Sequence, residues 1–236
     1  MSHLPRNILK KTQMSLKRYI KNKEVNHFSF LGIEIFIKDK ITNNISAKEV
    51  LKKVSQIIPS FMLQGIDSIY IGQFDFLINR EVQAMYENSS IFITNLQDSA
   101  EDMLDDIIHE VAHGVEDLRG DFIYSDGKIE KEFLYKRKKL WTILDKKGLN
   151  VDLDDFLNVD FSYEFDDFLY REIGYPLLSS MTSGMFFSPY AATSLKEYFA
   201  NGFEAFFLEE DTNRLKVISP VLFDKISSLV TQNGDL

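Results

Sequence analysis

The chain has 236 residues, no cysteine, 44% hydrophobic residues with twenty phenylalanines among them, and a formal net charge of −9. That length and apolar content suit one large domain with an aromatic core, or such a domain with a small N-terminal addition. Disulfides are excluded, any metal site must draw on histidine and carboxylate, and an acidic body argues against nucleic acid as the main partner.

The charge is uneven. Nine Lys or Arg stand against three acids in residues 1–40, and 18 against 33 in the rest. Residues 5–23 read as a basic amphipathic helix, with Ile8, Leu9, Leu16, Tyr19 and Ile20 on one side and Arg6, Lys10, Lys11, Lys17, Arg18, Lys21 and Lys23 around it. Such a helix either docks on the body or lies on an anionic membrane; the narrow apolar side, lacking Trp and Phe, favours docking. Ile8-Leu9 runs at once into Lys10-Lys11, so no signal-peptide core is read. The protein is therefore expected to stay in the cell that makes it, or to leave by a non-classical route. No run of 18 apolar residues predicts a membrane span.

Residues 28–37, dense in aromatic and β-branched side chains, predict a strand. Ser46-Ala47-Lys48-Glu49 opens a helix with a capping-box pattern that runs to about Ile58, before Pro59. Residues 66–76 and 84–94 predict two or three short strands broken near Asn79 and Asn88. The last of these, 90–94, is a candidate free edge on which an extended peptide would pair.

A helix is then expected over residues 99–118, with Leu104, Ile107, Ile108, Val111, Val115 and Leu118 as a broad apolar stripe. Within it lies His109-Glu110-Val111-Ala112-His113, a complete H-E-x-x-H. Residues four apart share a helix face, so both imidazoles can meet one zinc ion. Glu110, turned by ~100° from His109, stands beside the metal as a base for a bound water. The plainer reading makes His109 and His113 polar residues on a half-exposed face. Against it, histidines bordering a core stripe are partly buried and need partners.

Zinc in a hydrolase takes three protein ligands and a water. The longer motif with Gly and His three and six residues further on is excluded by Glu116 and Arg119, which leaves a carboxylate. Glu116 and Asp117 are close neighbours on the same helix. The alternative is the run 194–207, where Glu197, Asn201 and Glu204 recur on one face and Phe199, Phe203, Phe206 and Phe207 on the other. Ser194-x-x-Glu197 is also a capping box, and a carboxylate folded back on its own helix end would not reach a metal.

Between these regions a helix is expected over 129–147, ended by Gly148. The acidic stretch from Asp152 to Glu172 reads as solvated helices with buried Phe, or as an acidic wall that draws in a basic peptide. Residues 174–188, with Gly174, Pro176 and Gly184, are expected as loops, and 221–230 as a packing helix.

The run from Tyr190 to Ala200, continued by Arg214-Leu215-Lys216-Val217, together with the H-E-x-x-H helix, resembles the catalytic domain of the anthrax lethal factor-like zinc peptidases, a gluzincin family that includes smaller secreted Pro-Pro endopeptidases. The resemblance implies an α+β zincin-like fold: a small twisted mixed sheet backing the H-E-x-x-H helix, with a mainly helical C-terminal half. It implies a catalytic domain over 26–236 (sheet part 26–120, helical part 121–236) after the basic segment 1–25. It implies that Glu197 is the third ligand of one zinc ion per chain and that Tyr190 steadies the oxyanion. A second family carboxylate four residues after the ligand is replaced here by Asn201, which accepts a hydrogen bond without charge. The function so implied is a zinc endopeptidase acting on a peptide or protein, with Glu110 as general base. The alternative is a non-catalytic protein keeping the zincin fold for binding or assembly.

Overall fold

A computed structural model describes residues 26–208 and 212–231, so the basic N-terminal segment lies outside the described residues. The fold is mixed α+β, and the chain divides into two compact units between Gly114 and Val115.

The first unit carries β1 (Asn26–Phe30), β2 (Ile33–Ile37), helix α1 (Ala47–Ile57), β3 (Ser68–Ile71), the short α2 (Asp75–Ile78), β4 (Ala84–Glu87) and β5 (Ser90–Ile93). Helix α3 (Ala100–Tyr124) begins here and continues into the second unit. Ser46 caps α1 by accepting the Glu49 N–H at 3.4 Å, as the capping-box pattern leads one to expect. The strand order is β1-β2-β3-β5-β4; β2, β3 and β5 are parallel, and the two outer strands run antiparallel to their neighbours.

Strand alternation sorts the core by type. Ile35, Ile69 and Ile91 pair in one row and Ile37, Ile71 and Ile93 in another, giving one face an aliphatic lining. On the other face His27, Phe36, Tyr70 and Phe92 stack ring on ring across four strands, and Phe74, Leu77 and Met85 close over them. Each such cross-strand aromatic pair adds on the order of 0.5 kcal/mol beyond simple burial.

Two sequence expectations change here. Residues 28–37 form a hairpin rather than one strand, because the chain reverses at Leu31 (φ 52°) and Gly32 (φ 83°). Leucine seldom takes positive φ, so only half of that turn announces itself. Strand β5 is not an edge: the turn at Asn88 and Ser89 (φ 50° and 57°) folds β4 back along it, so among the described residues the edges are β1 and β4.

The second unit is helical: α4 (Lys128–Lys146), α5 (Leu153–Leu157), α6 (Tyr163–Asp167), a π turn (Phe168–Gly174), α7 (Tyr175–Thr182), a 3-10 turn (Tyr190–Ala192), α8 (Leu195–Phe207), α9 (Thr212–Ile218) and α10 (Pro220–Thr231). Helix α7 occupies part of the region expected as loops. Pro176 sits in its first turn, where a missing N–H is harmless, so here proline starts a helix instead of breaking one. Phe133, Phe156, Phe186, Tyr198, Phe199 and Phe203 build an aromatic core. Within it Lys136 donates to the hydroxyls of Tyr198 and Ser219, and Tyr198 donates to Glu132. The Glu132 carboxylate also accepts the Val221 and Leu222 N–H groups at the start of α10, at 3.0 and 3.2 Å. No helix among the described residues is long and apolar enough to cross a membrane.

Candidate metal centre

Helix α3 buries Ile107, Ile108, Val111, Ala112 and Val115, so its register is set by apolar packing. That register brings His109 and His113 together, their rings edge to face with centroids 5.3 Å apart. His113 is buried and His109 half-buried. The 3-10 turn Ser60–Gly65 approaches the helix directly beside His113. A Cβ on Gly65 would lie 2.7 Å from the Gly114 carbonyl oxygen, so only glycine allows this approach.

Glu110 is buried and tied to the sheet. Its Oε2 accepts the backbone N–H of Tyr86 at 2.5 Å, while the Tyr86 hydroxyl donates to the Gly65 carbonyl at 3.3 Å. Tyr86 belongs to the edge strand β4, and its N–H points away from β5. The candidate general base is thus held by a backbone donor of β4.

Glu197 lies in the first turn of α8, 3% exposed. Ser194 caps the helix by accepting the Glu197 N–H at 3.1 Å. One oxygen of the Glu197 carboxylate and one nitrogen each of His109 and His113 all lie within 4.8 Å of one another. Cap and ligand were expected to compete; they do not, because Ser194 takes the backbone of Glu197 and leaves its side chain for the histidines.

The donor set suits a metal. Two imidazoles and one carboxylate are the ligands of a zinc hydrolase site. A tetrahedral ion with bonds of about 2.1 Å holds its donors about 3.4 Å apart, so a set within 4.8 Å would draw together by up to about 1.4 Å on binding. This buried His109, His113 and Glu197 group could therefore hold a metal ion.

Tyr190 stands in the 3-10 turn Tyr190–Ala192, which packs on α8, and is half-buried. Asn201 lies one turn after Glu197 on α8. Its Oδ1 accepts from Ser188 Oγ at 2.5 Å and its Nδ2 donates to the Glu197 carbonyl at 2.9 Å, so it ties α8 to the segment before Tyr190. Glu116, weighed above as a ligand, is buried and accepts a hydrogen bond from the Tyr124 hydroxyl. Burial first, then the charges of Glu116 and Glu197, push the Tyr124 phenol far above its usual range and keep it a donor. Burial, followed by Glu197, also raises the carboxyl of Asp166, which accepts a hydrogen bond from Tyr175 at 3.3 Å.

Tyr86, Tyr124, Asp166 and Tyr175 carry no motif. Tyr86 meets Glu110 through its backbone N–H, Tyr124 reaches Glu116 eight residues back on the same helix, and Tyr175 reaches Asp166 nine residues back. No protein-family model, no curated protein and no solved structure matches the chain.

Proposed function

We propose that the protein is a zinc-dependent endopeptidase with a zincin-type fold, related to the lethal factor-like peptidases that its motifs resemble. The observation that carries this reading is the meeting of the His109, His113 and Glu197 donor atoms, the first two singled out by the motif and the third by the resemblance. Zinc held by them would supply Lewis acidity towards a scissile carbonyl and lower the pKa of a water to about 7.

The chain's own residues supply the remainder. Glu110 takes the proton of the attacking water and passes it to the departing amine, which needs a carboxylate fixed in place; its hydrogen bond to the Tyr86 N–H fixes it. The Tyr190 hydroxyl donates to the oxyanion that develops at the scissile carbonyl. A basic peptide is one substrate class to include, since the stretch from Asp152 to Glu172 is acidic.

The test is a screen of the full chain against peptide libraries that include basic and proline-rich members, with and without a chelator. Cleavage that stops with chelator and returns with zinc is expected. Absence of cleavage by zinc-loaded protein across all libraries would favour the binding or assembly role instead.

A further inference from the structure

Tyr190 and Glu197 sit on one short stretch of chain, so their separation depends on how that stretch is held. Its middle residues, Ala192 and Thr193, are buried, at 0 and 1% exposure. Their carbonyls cannot turn to water and need donors from the protein. Arg137 of α4 provides them. Its Nη1 donates to the Ala192 carbonyl at 2.9 Å and to the Thr193 carbonyl at 3.3 Å, and its Nη2 donates to the Asp155 carbonyl.

The guanidinium is buried, lies 4.1 Å from the Phe165 ring centroid and is flanked by Phe133 and Phe156 at 5.3 and 5.6 Å. Among the described residues its buried Nε–H has no hydrogen-bond partner. Filling this space alone would favour an apolar side chain, since burying a charge costs desolvation that packing does not require. What arginine adds is a rigid fork, with Nη1 on the Ala192 and Thr193 carbonyls and Nη2 on the Asp155 carbonyl. The same stretch is gripped elsewhere: Ser188 Oγ accepts the Ala191 N–H at 3.2 Å and donates to Asn201, and Thr193 Oγ1 donates to the Tyr190 carbonyl at 2.8 Å.

We infer that Arg137 is a positioning residue for the candidate metal centre: by holding the carbonyls of Ala192 and Thr193 it sets the Glu197 carboxylate and the Tyr190 phenol in their mutual orientation. This rests on the reading of His109, His113 and Glu197 as metal ligands.

The test uses the full chain titrated with cobalt(II), whose visible spectrum reports ligand geometry. Arg137→Lys keeps the charge but not the fork, and Arg137→Met keeps only bulk. Ile226→Ala, in the core of α10, serves as a control that loses stability away from this stretch. Affinity is expected to fall in the order wild type, Lys, Met, with the Met variant weaker by about 10- to 100-fold, the usual effect of disturbing groups behind the ligands. The cobalt spectrum of both Arg137 variants should shift, while Ile226→Ala should match wild type. If Arg137→Met does not fold, Arg137→Lys carries the comparison. Arg137 variants that match Ile226→Ala in affinity and spectrum overturn the positioning role while leaving the metal centre standing. A wild-type chain that shows no cobalt spectrum at one equivalent overturns both.

Discussion

Glu197 serves with two separate parts: its N–H closes a helix on Ser194, and its carboxylate joins His109 and His113. The chemistry assigned to its neighbours separates cleanly by mutation. Glu110→Gln should bind zinc as wild type does yet lose peptidase turnover by at least about 10²-fold, the usual reach of a general base. Retained turnover in that zinc-loaded variant would remove Glu110 from its role. Tyr190→Phe should lower kcat by roughly 10²-fold with little change in KM, as for loss of one oxyanion donor; an unchanged kcat would dismiss the phenol. The histidine pair was legible because its spacing is local and helical periodicity alone aligns it. Glu197 was legible only as one of two candidates until the surrounding Tyr190 to Ala200 run weighted it. Arg137 and Tyr86 were not legible. One reaches backbone carbonyls 55 and 56 residues away and the other offers a backbone N–H, and neither leaves a mark in side-chain pattern.

Among the elements, α3 depends on glycine twice, in opposite senses. Gly65→Ala would thrust a Cβ against the Gly114 carbonyl, a backbone atom that cannot swing aside, and should destabilise by about 1–3 kcal/mol. Gly120 directly follows the kink of this helix at Arg119 (φ −126°, ψ 15°) and has open space around it. Gly120→Ala should therefore stabilise by up to about 1 kcal/mol through helix propensity and a less free unfolded chain. Urea midpoints of the two variants, moving in opposite directions, check both; a shift of the same sign contradicts this packing. Periodicity revealed the long helices and the three strands within 66–94, because both carry strong apolar repeats. It misplaced what depends on pairing partners. The hairpin at Leu31-Gly32, the central position of β5 and the outer position of β4 follow from which strand folds back on which, a relation that no single window of sequence contains. The run 174–188 failed for a different reason: proline permits a helix start as readily as it forbids a helix interior.

For the molecule as a whole, stability should carry a signature of its buried lysine. Burial lowers the Lys136 ammonium from its ordinary 10.5 to about 8, against the upward pull of Glu132. Between those values the unfolded chain still holds a proton that the folded chain has released, so stability rises with pH across that window. The phenols of Tyr124 and Tyr198, held far above their usual range by burial, act in the opposite sense only once an unfolded tyrosine ionises near pH 10. Relative to Lys136→Met, the wild-type urea midpoint should climb from pH 8 to 10; a difference that stays flat contradicts the buried charge. A metal bound only by the folded chain should likewise raise the unfolding temperature with its concentration, and chelation should lower it. The most direct measurement is elemental zinc content of purified wild-type protein and of Glu197→Ala after identical zinc loading and dialysis. About one zinc per chain in the wild type and almost none in the variant is the expected result. A wild type without stoichiometric zinc, or a Glu197→Ala protein that keeps its full complement, would contradict a centre built from His109, His113 and Glu197.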